Sequence, residues 1–269
     1  MILELQGKAA YCYTGGKAFD PQLPTVVFIH GAQNDHSVWA LQSRWFAHHG
    51  HGVLAVDLPG HGRSAGPALA SVEAMADWLL AVLDQAGVTR ALLVGHSMGS
   101  LIALETAHRA PERVRALALL GTTYPMKVSD ALLATSRDDE AAAIDMVNIW
   151  SHSTMAHKLA SPVPGFSVMG GAQRLMARMS AINPDHLFHT DFSACNAYAN
   201  GEAAAASVRP PTLFIFGRQD MMTPPRSTKL LTAAIAHGKV VQVDAGHSLM
   251  SEQPDAVLGA LAGFAASLD

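Results

Sequence analysis

The sequence predicts an α/β fold: a mostly parallel central sheet flanked by helices, with one helical insertion. Three observations predict it. Short runs rich in Val, Ile, Leu and Phe, mostly apolar on both faces, recur along the 269 residues, as strands buried inside a parallel sheet do. Helix-sized segments with a 3.6-residue apolar period separate them. The alternation lapses once, between about residues 122 and 208, and then resumes.

In chain order, Ile2–Leu5 and Ala9–Tyr13 form an antiparallel pair, with the turn signal Gly15-Gly16 behind the second. Thr25–Ile29, Val53–Asp57, Ala91–Val94 and Ala116–Leu120 are the next strands. Ser71–Gln85 is a helix, because Val72, Met75, Ala76, Leu79, Leu80 and Leu83 fall on one stripe. Leu101–Ala110 is another, ending before Pro111 as helices do. After the lapse, Thr212–Phe216 and Lys239–Val243 are strands. Arg226–Ala236 and Pro254–Leu268 are helices, the latter with proline well placed as its first residue. Parallel strands joined through helices require right-handed crossovers. The stretch in between carries helical patches at Asp138–Trp150 and Ala172–Ser180, a Pro/Gly stretch at Ser161–Gly171, the Ala-rich Glu202–Ser207 and many methionines. It is predicted to be a cap spanning 123–208, inserted into a core made of 1–122 and 209–269.

Composition narrows the function. With 49% hydrophobic residues and a formal net charge of −4, the chain is not a disordered one. Mean hydropathy is +0.18, yet no apolar run reaches the ~18–20 residues of a membrane span. A pI near 6.4 without a Lys/Arg cluster argues against nucleic acid. Two cysteines, Cys12 and Cys195, make neither a disulfide framework nor a metal cluster. The opening MILELQGKAAYCYTGG lacks the basic start and apolar core of a signal peptide, so a cytoplasmic location is expected. His48, His49 and His51 cluster without carboxylates or cysteines at ligand spacing, which suits a polar helix end better than a metal site. No G-x-G-x-x-G follows the first long strand, and no Lys-Ser/Thr follows a glycine loop. No cofactor or metal is predicted; the expected partner is a small-molecule substrate, and no oligomeric state is indicated.

The chemistry concentrates at Gly95-His96-Ser97-Met98-Gly99. This G-x-S-x-G directly follows a strand and opens a helix. A strand-to-helix turn that sharp forces the serine into a strained conformation, lifts its Oγ above the sheet and sets it beside a helix N-terminus. Glycine at the flanking positions lets strand and helix approach. Ser97 is therefore the candidate nucleophile.

In this motif and its setting the sequence resembles the α/β-hydrolase family over nearly the whole chain. The resemblance implies the order nucleophile, acid, histidine, with the acid on a loop after a late strand. Here Thr212–Phe216 precedes Gly217-Arg218-Gln219-Asp220, and Lys239–Val243 precedes Asp244-Ala245-Gly246-His247-Ser248. These pieces look like the family's acid and histidine loops, which makes His247 the general base and Asp220 its orienting carboxylate. A serine hydroxyl is a weak nucleophile until a base takes its proton. Histidine can do so and return the proton to the leaving group, while the carboxylate fixes the tautomer. Asp244 is a rival acid, but it lies three residues before His247, too close to face it comfortably. The other family location, after Leu120, reads Gly121-Thr122-Thr123-Tyr124 and holds no carboxylate.

Phe28-Ile29-His30-Gly31-Ala32 resembles the family's His-Gly oxyanion loop. The resemblance implies that the backbone N–H groups of Ala32 and Met98 hold the oxyanion, with His30 a structural hydrogen-bonding residue. Asp57-Leu58-Pro59-Gly60-His61-Gly62-Arg63-Ser64 matches a recurrent family loop, in which Asp57 and Arg63 are expected to pack or pair. The family implies a serine hydrolase that forms an acyl-enzyme on Ser97. A carboxylic ester of a small, largely apolar substrate is the first expectation. A thioester, a lactone, or the C–C bond of a diketone ring-cleavage product would use the same residues. A non-catalytic ligand-binding protein on this fold is disfavoured, because all three residues are present. In the cap, Met146, Met155, Met169, Met176, Met179, Trp150 and Phe166 either pack it onto the core or line a pocket. Trp150, Phe166 and Met169 are the candidate substrate-binding residues.

Overall fold

The computed structural model describes residues 1–154 and 167–268. Eight strands form one sheet: β1 (Ile2–Leu5), β2 (Lys8–Tyr13), β3 (Thr25–Ile29), β4 (Gly52–Val56), β5 (Ala91–His96), β6 (Val114–Leu120), β7 (Thr212–Gly217) and β8 (Lys239–Val243). Their spatial order is β1-β2-β4-β3-β5-β6-β7-β8. β1 and β2 pair antiparallel, as does β2 with β4; every pair from β4 to β8 is parallel. The first hairpin turns at Gln6-Gly7, both at positive φ, the two-residue geometry that matches strand twist.

β3 to β7 are almost wholly buried. β8 departs from that expectation. It sits at the sheet margin with β7 as its only strand neighbour among the described residues, and Lys239 and Val240 are exposed. Edge strands need not be apolar on both faces.

The helices on the two faces are α1 (Ala40–His48), α2 (Val72–Gln85), α3 (Met98–Arg109), α9 (Lys229–Ala234), α10 (Leu249–Glu252) and α11 (Pro254–Ala266). The inserted stretch adds α4 (Asp130–Asp138), α5 (Glu140–Trp150), α6 (Val168–Ile182), α7 (Leu187–Ala197) and α8 (Gly201–Ser207). Ser71 caps α2 by accepting the Ala74 N–H, which sets where that helix begins. The predicted Arg226–Ala236 helix is broken: a short turn at Pro225–Ser227 precedes α9. The chain before it carries Pro224-Pro225, which delays regular helix.

Two apolar clusters sandwich the sheet. One joins α2, α3 and α8 to one face, through Leu79, Leu101, Leu104 and Ala204. The other joins α1 and α11 to the opposite face, through Phe28, Trp39, Phe46 and Leu261. A third, small cluster of Leu132, Ile144, Val147, Met176, Phe188 and Phe192 holds the helices of the insertion together. The insertion's return leg behaves differently: Ala194, Cys195, Tyr198, Ala204 and Ala205 pack into the core cluster. Tyr198 and Asn200 also donate to the buried carboxylate of Glu105 on α3, at 2.8 and 2.9 Å. The parallel strands aim their C-terminal ends at one edge, where ligands bind in open α/β sheets.

Candidate active site

Ser97 is the single residue between β5 and α3. Its φ of 51° and ψ of −120° lie outside the regions open to most side chains. Backbone pairing holds it there: Ser97 N–H donates to Leu120 O at 2.9 Å, and Ser100 N–H donates to Ser97 O at 2.8 Å. A Cβ at Gly95 would collide with the Gly99 carbonyl, and one at Gly99 with the Ile29 carbonyl. The helix begins at Met98, three residues earlier than sequence periodicity places it.

His247 follows β8, and its Nδ1–H donates to Asp220 Oδ2 at 2.8 Å. Asp220 is held on its other oxygen by the Met222 and Thr223 N–H groups, each at 2.8 Å. The Thr223 hydroxyl donates to Oδ2 at 2.8 Å and lies 3.2 Å from His247 Nδ1. With Nδ1 protonated, Nε2 of the neutral ring is free to accept a proton. Burial works to raise the Asp220 carboxyl, but the interaction with His247 and these hydrogen bonds outweigh it and hold it below the usual carboxylate range. The rival Asp244 turns to solvent and pairs with Arg218 at 2.8 Å.

Ser97 and His247 line one cavity of about 60 Å³, together with Gly31, Ala32 and Asn34. No hydrogen bond joins Ser97 Oγ to His247 among the described residues, as is common in a serine-histidine pair without substrate. The Ala32 N–H has no hydrogen-bond partner among the described residues, and Met98 heads α3, where the backbone N–H groups lack intrahelical acceptors. Ala32 lines the cavity that holds Ser97.

Several positioning groups carry no family motif in the sequence. The His96 Nε2–H donates to His247 O at 2.8 Å, and the two rings lie 4.7 Å apart. Burial, then the nearby His247, push His96 down to about 3, so it is a neutral structural donor. Gly121 has φ +52°, and a Cβ there would sit 3.1 Å from the His247 ring. Glu252 ties the histidine loop to the insertion by accepting the Gly246 and Ser153 N–H groups, both at 3.0 Å. Apart from the Gly246–Glu252 bond, these contacts join residues far apart in the chain, which no local pattern encodes.

His30 fits its structural expectation. Its Nε2 accepts the Leu58 N–H at 3.1 Å and its Nδ1–H donates to Gly31 O at 2.8 Å. Asp57 accepts from the His36 ring at 2.7 Å, the His36 N–H at 2.8 Å and the Arg63 N–H at 2.9 Å. Arg63 stacks on the Tyr11 ring. Asp35, His36 and Asp57 bring three potential ligand atoms within 4.8 Å of one another, but His36 Nδ1 and Asp35 Oδ1 already hold hydrogen bonds. His49 stacks on Trp45 at a helix end.

Two further cavities adjoin the central one. A cavity of about 180 Å³ is lined by Ala32, Ser97, Leu132, Trp150, Phe192 and Met222, with Lys127 at its rim. Cys195 also lines it, but burial pushes that thiol up and keeps it protonated. A cavity of about 380 Å³ lies on the other side, lined by Val38, Leu41, Val168, Leu175 and Met250 and sharing His96 and Ser248 with the central cavity. Trp150 thus shares a cavity with Ser97. Met169 lines none of the three cavities: Val168, Gly171, Ala172 and Leu175 form the cavity-facing side of α6, and Met169 stands off it. Phe166 and Met155 lie outside the described residues. No helix among the described residues is long and apolar enough to cross a membrane.

The family described as alpha/beta hydrolase fold matches residues 24–254. A protein of Klebsiella pneumoniae strain 342 named as a carbamate hydrolase, RutD, is 29% identical over 240 residues, covering 84% of this chain and 85% of that protein. The (E)-2-((N-methylformamido)methylene)succinate hydrolase of Acinetobacter baylyi is 26% identical over 222 residues, 79% of this chain and 77% of its own length. The crystal structure of the enol-lactonase from Burkholderia xenovorans LB400 superposes with a TM-score of 0.85 at 22% identity, covering 99% of this chain and all of that one.

Proposed function

The chain belongs to the alpha/beta hydrolase fold family and is a hydrolase, and we propose that it cleaves carboxylic esters of small, largely apolar substrates through an acyl-enzyme on Ser97. The observation that carries this reading is the strained Ser97, set in one cavity with a His247 whose Nδ1–H is fixed by Asp220 and Thr223. In the proposed reaction His247 Nε2 takes the Ser97 proton as Oγ attacks the acyl carbon. The oxyanion is received by the Ala32 and Met98 N–H groups. His247 then protonates the leaving alcohol, and a water repeats the sequence to release the acid.

The cavities suggest how an ester lies. The leaving oxygen must meet His247 Nε2, so the alcohol side faces the 380 Å³ cavity that shares Ser248 and His96 with the centre. The acyl group then enters the 180 Å³ cavity beside Ala32 and Trp150. At about 30 Å³ for a water-sized unit, the acyl side holds roughly six heavy atoms. In this reading segment 123–208 serves as the cap over Ser97, with Trp150 lining the acyl side.

A substrate panel tests the proposal: p-nitrophenyl esters from two to twelve acyl carbons, beside an aryl carbamate, a lactone and a vinylogous diketone. Ester turnover that peaks at short acyl chains supports it. Preference for the carbamate, the lactone or the diketone would reassign the bond cleaved.

A further inference from the structure

A buried polar network lies behind the Ala32 loop, and the reaction steps above leave it unused. Gln33, directly after Ala32, is fully buried and adopts φ +56°. A non-glycine residue persists in that conformation only where its surroundings enforce it. Its backbone N–H donates to Asp191 Oδ2 at 2.8 Å. Its side-chain nitrogen lies within hydrogen-bond distance of Glu140 Oε1 at 3.0 Å, Met176 O at 3.1 Å and Ser180 Oγ at 2.8 Å, three acceptors for its two N–H groups. Every one of these partners lies on the inserted helices α5, α6 and α7.

Asp191 is also fully buried, and the same Oδ2 accepts from His61 Nε2–H at 2.9 Å. His61 Nδ1 lies 3.1 Å from the Pro59 carbonyl. Both partners of the ring can only accept, so both nitrogens carry protons and the ring is a cation. Burial disfavours that charge, but Asp191 outweighs burial and raises the His61 value. His30 packs 4.8 Å from His61 and stays neutral, pushed down to about 4 by burial and by the His61 charge.

His30 and Asp191 grip consecutive peptide groups. The Gly31–Ala32 peptide, whose N–H is the oxyanion donor, is held at its carbonyl by His30 Nδ1–H. The next peptide, Ala32–Gln33, is held at its N–H by Asp191. Because peptides are planar, fixing these two groups fixes the direction of the Ala32 N–H. We propose that Asp191, held by the His61 cation, is a positioning residue for the oxyanion hole, so that docking of the inserted helices sets the strength of transition-state stabilisation. This rests on the proposed role of Ala32.

The test compares a ligand that forms an oxyanion with one that does not. An aryl trifluoromethyl ketone adds Ser97 to give a hemiketal oxyanion; the matching methyl ketone binds without that addition. In Asp191→Ala, kcat and trifluoromethyl ketone affinity should fall together by about 10- to 100-fold, short of the 10²–10³ seen when an oxyanion donor is removed outright. KM and methyl ketone affinity should stay within about twofold, as expected when uniform binding is untouched. Asp191→Asn keeps an acceptor for Gln33 N–H and should recover most of the loss. A folded Asp191→Ala variant with parent kcat and parent ketone discrimination overturns the proposal, as does equal weakening of both ketones. Should Asp191→Ala fail to fold, His61→Leu removes the donor that holds Asp191; a loss of the same pattern supports the proposal and parent behaviour refutes it. A parent chain that neither turns over an ester nor distinguishes the two ketones sinks the hydrolytic role of Ser97 itself, an outcome distinct from a responsive parent with unresponsive variants.

Discussion

Asp220→Asn should fold yet lose nearly all turnover, and the geometry dictates why. Oδ1 accepts two backbone N–H groups, from Met222 and Thr223. An asparagine must place its carbonyl oxygen there, because an NH₂ facing two N–H donors would be repelled. Its NH₂ then takes the Oδ2 position and points at His247 Nδ1. That nitrogen must become an acceptor, which moves the ring proton to Nε2, the atom that has to take the Ser97 proton. By analogy with tautomer inversion in a serine-protease triad, kcat should drop by about 10⁴, or about 5.4 kcal/mol at 1.36 kcal/mol per decade. KM should change little, since no substrate contact is lost. Initial rates on a short-chain p-nitrophenyl ester, with circular dichroism as the folding control, read both quantities. Asp244→Asn is the matched control: its pair with Arg218 is exposed, and such pairs contribute about 0–1 kcal/mol to stability. The reasoning is refuted if Asp244→Asn is crippling while Asp220→Asn keeps most of its turnover.

Two further outcomes follow from the cavities and the buried carboxylates. Trp150→Ala should shift the preferred acyl length upward and change kcat/KM by about 1–3 kcal/mol on short esters, whereas Met169→Ala should leave the substrate ranking unchanged; identical rankings in parent and Trp150→Ala would move the acyl group elsewhere. Asp57 and Asp220 are buried, which would raise them, but hydrogen bonds and charge from His36 and His247 respectively bring both below their ordinary value of 3.8. Their stabilisation is therefore complete above that value and is lost as pH falls through the lower folded values. Below about pH 6.5 the buried neutral His30 and His96, lowered to about 4 and 3, already cost stability because the unfolded chain takes up protons that they refuse; the carboxylates add a further decline below about pH 4, which should be shallower in Asp57→Asn, and melts that do not respond to acid would contradict this.

The alternation of apolar strands and amphipathic helices makes the sheet legible in the sequence, since burial on both faces leaves a continuous apolar run at β3 to β7. β8 is the exception, and its exposed Lys239 is the mark of an edge. The elbow at Ser97 is legible because strand, turn and helix are contiguous in the chain. His96, Gln33, Asp191 and Glu252 are not: each acts through a partner more than five residues distant, and two of those contacts cross from core to insertion. Periodicity also fails inside the insertion. α7 is hidden because its buried face meets different neighbours along its length, with Phe188 and Phe192 in the small cluster and Ala194 and Cys195 in the large one. Methionine content marks the insertion as adaptable but does not say which methionines face a cavity; only the helix phase of α6 separates Val168 from Met169.

The most direct measurement is the site of covalent capture. The intact chain is treated with a fluorophosphonate, weighed by mass spectrometry and digested to locate the adduct. The expected result is one phosphonyl group on the peptide containing Ser97, absent in Ser97→Ala and formed much more slowly in His247→Ala. An unmodified chain that still turns over esters, or an adduct on any other residue, would contradict the assignment of Ser97 as the nucleophile.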